Sequence, residues 1–325
     1  MKDFEYLQPE SIESASKFMS KFSESIPFAG GTDVLGLVKD DIISPQKIVN
    51  LKNIKDLAYI KFNEDEGLRI GALTKLSEIA EDEIVKNKFR ALHESITELA
   101  TPQLRNVGTI GGNICQRPRC FYFRGDYDCI RKGGNECYAF AGNNKYHCII
   151  GGDPCYIVHP SDTAVALLAL DASFKVRKGK KEKILPASEF FVLPTVDETK
   201  ENILEKDEIL TEIIVPPASG DTVSKYIKVK ERGAWDFALA SISGVFNTDG
   251  KVIKKGKIAF GGVAPVPWID EQVNENLTGM RINEKNFSDL ASIALSGAYA
   301  LEMNTYKLAL SKNLVKKLLI ESFIE

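Results

Sequence analysis

Two short stretches decide how this chain is read: Phe28-Ala29-Gly30-Gly31-Thr32-Asp33 and, further on, Asn106-Val107-Gly108-Thr109-Ile110-Gly111-Gly112-Asn113. Each sets paired glycines beside a threonine. Consecutive main-chain N–H groups in such a turn form a concave nest for an anion. Glycine also lets a phosphate come close to backbone that a Cβ would shield. The spacing is neither G-x-G-x-x-G nor that of a P-loop, which excludes a Rossmann or NTPase reading. One Gly-Gly turn taken alone is most often just a turn. Two of them in one chain suit a dinucleotide gripped from two sides.

Outward from these turns, strands and helices intermix. Ser11 to Phe22 reads as a short amphipathic helix, with Ser11 as its cap and Ile12, Ala15, Phe18 and Met19 at helical spacing. Lys47–Leu51 and Leu68–Ala72 read as strands, and a helical stretch runs from about Leu76 to Leu99 with a break in the middle. Thr163–Leu170 is helical in pattern, capped by Ser161 or Asp162, and Ser173–Arg177 is strand-like. Pro216-Pro217-Ala218-Ser219-Gly220 is the best linker candidate. Strands follow near Tyr226–Val229, Ala238–Phe246 and Lys257–Phe260, and two helices close the chain, roughly Asn286–Met303 and Tyr306–Ser322. This mixture favours an α+β class over a doubly wound parallel sheet.

The 325 residues suffice for two or three domains, and 44% hydrophobic with 27% charged content is ordinary for a globular chain. A formal net charge of −3 excludes the basic footprint of a nucleic-acid binder. No apolar run reaches the ~18 residues of a membrane span. The start, Met1-Lys2-Asp3-Phe4-Glu5-Tyr6, lacks the apolar stretch of a signal peptide. The expected location is cytoplasmic, or periplasmic only if a partner subunit carries the chain across.

All six cysteines lie between Cys115 and Cys155. Disulfide frameworks belong to short secreted chains, and clustered thiols in a reducing compartment read as metal ligands, soft donors that select iron–sulfur clusters or zinc. Cys120-x8-Cys129-x7-Cys137 contains no C-x-x-C pair, so zinc ribbon and finger spacings are missing. A [4Fe–4S] cluster needs only four thiolates gathered by a folded loop. Arg117, Arg119, Arg124, Arg131 and Lys132 surround the thiols, where they would offset the negative charge of a ligated cluster, and Gly133-Gly134 supplies a turn between Cys129 and Cys137. Structural zinc or buried free thiols are the plainer alternatives. Spacing alone does not choose four ligands from six, and His147 and His159 are further possible ligands, although His159 before Pro160 reads as a strand-end residue. A metal site beside a nucleotide site suggests electron transfer.

Taken together, the segments resemble the FAD-binding medium subunits of the xanthine dehydrogenase family of molybdenum hydroxylases, over essentially the whole chain. Phe28–Asp33 resembles that family's first FAD loop and Thr109–Asn113 its second. His159-Pro160-Ser161-Asp162 resembles the segment whose aspartate contacts the nucleotide end of FAD. Tyr226-x-Lys228-x-Lys230-x-Arg232 and Phe260-Gly261-Gly262-Val263-Ala264 resemble its C-terminal domain. The cysteine window resembles the extra [4Fe–4S] loop of bacterial aldehyde oxidoreductases and 4-hydroxybenzoyl-CoA reductase. By that resemblance the ligands are Cys120, Cys129, Cys137 and Cys155, with Cys148 able to replace Cys155 and Cys115 spare.

The resemblance implies a two-lobed FAD-binding domain over 1–217, its first lobe about 1–55, its second about 56–217, the cluster loop at 115–155, and a C-terminal α+β domain over 218–325, the CO dehydrogenase flavoprotein type. It implies that Ala29, Gly30, Gly31, Thr32 and Asp33, with Thr109, Gly112 and Asn113, hold the FAD pyrophosphate. Asp162 is placed at the ribose or adenine end, and Lys228 is a weaker contact. The implied partners are a large molybdenum-cofactor subunit and a small [2Fe–2S] subunit, with electrons leaving for an acceptor that the sequence does not name. Aldehyde or xanthine-type oxidation is the expected chemistry of the assembly. The alternatives are the same subunit of a 4-hydroxybenzoyl-CoA reductase-like enzyme, a stand-alone flavin oxidoreductase with a zinc-bearing loop, and a flavin-free redox sensor.

Overall fold

The computed structural model describes residues 1–324. Three sheets organise them. β1 (Glu5–Leu7), β2 (Ser25–Phe28) and β3 (Lys47–Asn50) form a parallel sheet in the order β1-β3-β2. β4 (Ile60–Asn63), β5 (Gly67–Gly71), β6 (Ser173–Lys178), β7 (Lys181–Pro186) and β8 (Ile209–Val215) form an antiparallel sheet, order β4-β5-β8-β6-β7. β9 (Thr222–Val229), β10 (Ala240–Thr248), β11 (Ile253–Gly261) and β12 (Trp268–Ile269) form a second antiparallel sheet, order β12-β11-β10-β9. Among the described residues no helix is long and apolar enough to cross a membrane.

The helix Ile12–Lys21 covers the parallel sheet. Ser11 and Ser14 exchange backbone N–H groups for side-chain oxygens at 3.2 Å each way, a reciprocal cap that satisfies two otherwise orphaned donors. Ile12, Ala15 and Met19 are its buried face and pack with Val49, Leu51 and Leu57. A different helix positions the site. Asp162–Ala169 is apolar all round after its first two residues and is buried on every face, as such a composition requires. It packs against the helix Arg90–Thr97 on one side and against β10 and β11 on another. Its Ser161 cap accepts the Ala164 N–H at 3.0 Å and so fixes the start of the helix.

Three elements differ from the sequence reading. The stretch Leu76–Leu99, read with one break, has two and is three helices, Leu76–Glu81, Glu83–Lys88 and Arg90–Thr97. Asp82 accepts the Val85 N–H at 2.9 Å and so caps a new helix in place of continuing the old one. The helix expected to reach Met303 runs Glu284–Ile293. Beyond it Leu295 takes φ 51° and donates its N–H to the Asp270 carboxylate at 2.6 Å, a bond that helical continuation would forbid. His159 ends no strand: its segment is irregular, tied by its N–H to the Ala264 carbonyl at 3.0 Å.

Candidate cofactor cleft and cysteine loop

The chain leaves β2 at Phe28 and turns through Gly30–Asp33 into the helix Val34–Lys39. Among the described residues the backbone N–H groups of Gly30, Gly31, Thr32 and Asp33 meet no acceptor. Consecutive free N–H groups beside a hollow are what a pyrophosphate asks for, since each otherwise goes unpaired. The second turn is more self-contained. Thr109 Oγ1 accepts the Gly112 N–H at 3.2 Å, while Gly111 N–H is spent on the Ala72 carbonyl at 2.9 Å. Asn113 Oδ1 accepts hydroxyl hydrogens from Ser161 and Thr163, both at 2.6 Å. That fixes the amide and leaves its NH2 for the cleft it lines.

The two turns touch. A Cβ on Gly30 would lie 2.2 Å from the Val107 carbonyl oxygen, and one on Gly31, at φ +74°, 2.7 Å from the Phe28 ring. The sequence reading tied these glycines to phosphate approach alone. The structure adds a constraint that holds before any ligand arrives: the loops close on one another only if Gly30 has no side chain.

Three adjoining hollows follow that contact. One of about 330 Å³ lies among Ile26, Leu51, Leu73 and Ala29–Asp33. The next, about 380 Å³, runs from Thr32 and Thr109 past Asn113 to Asp162 and Lys228. A third of about 370 Å³ continues from Pro160 and Asp162 to Cys120 and His147. Thr32, Asp33, Thr109 and Gly112 are common to the first two, and Arg119, Asp162 and Phe237 to the last two. Every residue singled out for the dinucleotide therefore sits along one cleft.

Their side chains do different things in it. Asp162 is buried, and its carboxylate is taken up by the chain itself: Tyr226 donates its hydroxyl at 2.6 Å and Lys228 pairs at 2.7 Å. Burial, then the adjacent carboxylate, pushes the Tyr226 phenol well above its ordinary range. Asp33 turns its carboxylate to the cysteine loop, accepting the Arg117 N–H at 2.8 Å and pairing with Arg124 at 2.6 Å and Arg119 at 3.0 Å.

The cysteine loop has little regular structure: between Cys115 and Cys155 only Phe121–Arg124 and Ile130–Lys132 are helical. The chain reverses at Gly133, φ 92°, with Ile130 N–H on the Glu136 carbonyl at 2.9 Å and Gly134 N–H on that of Cys129 at 3.1 Å. The reversal folds Cys129 back beside Glu136, next to Cys137. Hydrogen bonding with the Cys137 thiol, then the Arg131 guanidinium, holds Cys155 down to about 6 against the opposing pull of burial. Burial lifts Cys120 to about 11, with the thiols of Cys155 and Cys129 adding to the rise. Those pairings link Cys120, Cys129, Cys137 and Cys155 in one group. Cys148 also feels Cys155 and is raised by burial, whereas Cys115, raised to about 12 by burial, feels only Glu201. Among the described residues no three His, Cys, Asp or Glu side chains are set to close on a single metal ion.

The family model for the FAD binding domain in molybdopterin dehydrogenase matches residues 2–218, and that for the CO dehydrogenase flavoprotein C-terminal domain matches 225–322. The aldehyde oxidoreductase FAD-binding subunit PaoB of Escherichia coli is 30% identical over 99% of both chains. This chain belongs to the FAD-binding medium subunits of the molybdenum hydroxylases. The glyceraldehyde dehydrogenase medium chain of Sulfolobus acidocaldarius is 30% identical over 89% of this chain and 86% of its own. In fold, the chain superposes on a carbon monoxide dehydrogenase chain from Hydrogenophaga pseudoflava with a TM-score of 0.79 at 24% identity, over 99% of this chain and 98% of that one. As a medium subunit of this family the chain is part of an oxidoreductase and its cofactor is FAD, which the free N–H groups of Gly30–Asp33 fit.

The arginines are redistributed relative to the sequence reading. Only Arg131 reaches a thiol, its Nε 3.4 Å from Cys155 Sγ. Arg117 pairs with Glu201 at 2.8 Å, Arg119 and Arg124 pair with Asp33, and Lys132 donates to the Gly125 carbonyl at 2.7 Å. The buried acid Glu201, which also pairs with Arg131 at 2.5 Å, was not picked out from the sequence. Nothing local in its sequence marks it, because its partners Arg131 and Arg117 lie about 70 and 84 residues upstream. Tyr226 as the second hold on Asp162 was assigned no part, and His147, weighed as a possible ligand, was not placed beside Cys120. Each depends on a contact between distant segments.

Proposed function

We propose that this subunit carries FAD and one [4Fe–4S] cluster and serves as the electron outlet of a molybdenum hydroxylase that oxidises an aldehyde. The two relatives at 30% identity, named for aldehyde and glyceraldehyde oxidation, support the substrate class. In this reading a molybdenum-bearing large subunit and a [2Fe–2S] small subunit deliver electrons, and the acceptor lies outside the trimer. We take 1–217 as the FAD-binding part, with lobes 1–55 and 56–217, and 218–325 as the C-terminal domain.

The observation that carries the cluster is the loop itself. A run of some forty residues with almost no regular structure is unusual within a compact domain, yet Cys129, His147, Cys148 and Cys155 inside it are buried. Metal ligation contributes folding energy that secondary structure here does not. A single zinc takes its ligands at roughly 2.0–2.3 Å, and the cysteine spacings of zinc ribbons and fingers are missing here. A cubane cluster takes one thiolate on each of four irons and suits a wider set. Cys120, Cys129, Cys137 and Cys155 would hold it, with Arg131 offsetting charge at Cys155. Gly30, Gly31, Thr32, Asp33 and Asn113 would hold the FAD pyrophosphate through backbone and amide N–H groups. Asp162 and Lys228 would shape the wall that the dinucleotide lies against.

Bound FAD and the cluster supply the redox chemistry. The chain's own contribution is to bind both, to keep water from the thiols, and to bring Cys120 to the end of the flavin cleft. Anaerobic purification with flavin, iron and zinc quantitation tests the reading. One FAD and about four irons per chain are expected. FAD with zinc and no iron would overturn the cluster and leave a flavoprotein with a stapled loop.

A further inference from the structure

Cys120 is the one proposed ligand that lines the cleft, and its sulfur has a neighbour the metal reading leaves unused. His147 Nε2 lies 3.2 Å from Cys120 Sγ. The ring is only 3% exposed. It is held edge-on against Phe121 and tilted against Tyr122, with centroids 5.8 and 6.0 Å away. Its backbone is pinned from both sides, by its N–H on the Asn144 carbonyl at 2.9 Å and by the Asn304 amide on its own carbonyl at 3.1 Å. The orientation is thus set by packing from two distant segments.

The proton position follows from the partners. Nδ1 is buried and, among the described residues, meets no hydrogen-bond partner. A ligated thiolate offers only lone pairs, so the nitrogen facing it must be the one that carries hydrogen. We propose that His147 is a positioning residue that donates an Nε2–H hydrogen bond to the Cys120 sulfur and raises the reduction potential of the cluster on its flavin-facing side. This inference rests on the cluster reading above. Hydrogen bonds to ligand sulfurs draw off negative charge and favour the reduced, more negative cluster, which is how outer groups tune such centres. Arg131 makes the comparable contact at Cys155, so donors reach two of the four thiolates. Only the His147 contact borders the cleft.

The experiment compares His147→Leu, which fills space without a donor, with His147→Gln, which restores an N–H. Iron and FAD are quantified first, and the cluster midpoint is then read by anaerobic titration with electron paramagnetic resonance of the reduced state. Both variants are expected to keep iron and FAD. The midpoint should fall in His147→Leu and recover toward native in His147→Gln, while the flavin midpoint stays put. An unchanged midpoint in His147→Leu, or equal falls in both variants, overturns the role. Loss of iron from both would make the ring a ligand or a staple and overturns it as well. Native protein without iron would instead sink the cluster reading, a result the iron assay reports before any titration.

Discussion

The turn Gly30–Asp33 meets its proposed ligand with backbone, whereas the loop Cys115–Cys155 meets its own with side chains. In the first, four successive N–H groups stand free and the residues are chosen for what they lack. In the second, thiols, a guanidinium and an imidazole converge from segments with almost no regular structure. The difference teaches where each is vulnerable. A backbone nest survives most side-chain changes but not an added Cβ, whereas a side-chain cage survives many packing changes but not the loss of one ligand. Asp33 joins the two regions, its N–H on the nest and its carboxylate on the loop's arginines.

The sharpest way to break the comparison is to remove one thiol. Cys129→Ala deletes a proposed ligand that is 5% exposed at the turn of the loop. The expected result is near-complete loss of iron, with the loop losing order because the proposed ligation would supply part of its folding energy. FAD should remain bound, because Gly30–Asp33 takes nothing from Cys129. Iron measured at the native level in this variant would refute the ligand set, and loss of FAD along with iron would show that the two regions are one unit.

Next in size is Lys228→Met, at the far wall of the cleft, where the nest gives way to buried side chains. The Lys228 and Asp162 side chains are 1% and 5% exposed and pair at 2.7 Å. Removing one partner of such a pair costs about 3–5 kcal/mol, because the other is left charged in the interior. Chemical denaturation should register that loss. A change under about 1 kcal/mol, a value typical of exposed pairs, would mean that solvent or flavin reaches Asp162 and that its role is contact in place of support.

Gly30→Ala tests the nest itself. The added methyl would meet the Val107 carbonyl 2.2 Å away, and backbone on both sides cannot swing aside as a side chain can. Overpacking of this kind costs about 1–3 kcal/mol. It should part the two turns, so flavin content should fall severalfold while iron stays at its native level. Full flavin occupancy would show that the turns need not touch to hold FAD.

How much of this was legible beforehand follows the same division. The nest was readable because glycine requirements are local: a turn, a positive φ or a close approach is written in two or three adjacent residues. Helix starts were readable where a cap does the work, as at Ser11 and Ser161. A break within Leu76–Leu99 was readable, but its place at Asp82 and the turn at Leu295 were not, since each depends on an acceptor whose use the periodicity does not record; at Leu295 it is Asp270, in another segment. The loop was legible in composition and illegible in wiring. Five basic residues near six thiols suggested general charge compensation, yet Asp33 and Glu201 claim Arg117, Arg119 and Arg124, and only Arg131 faces a sulfur. Sequence proximity placed the cations in the neighbourhood, and tertiary contacts chose their partners.

The smallest effect separates the two cysteines that spacing could not. Cys148 and Cys155 both lie buried in the loop, at 1% and 3% exposure. Thiolate is the form that ligates metal, and surroundings decide how readily it forms. Cys155 has the Arg131 guanidinium at 3.4 Å, whose positive charge favours its thiolate. Burial pushes Cys148 up, and the charge of Lys307 only partly opposes it. Cys155 is therefore the proposed fourth ligand, and Cys148 is a small core residue packed against Gly152, where any Cβ would lie 2.3 Å from its sulfur. Cys148→Ala should leave the iron at its native level and cost only about 1 kcal/mol, a typical core-edge substitution. Cys155→Ala should lose the iron. The reverse pattern would exchange their roles and place the fourth ligand beside Lys307, with Arg131 left facing a free thiol.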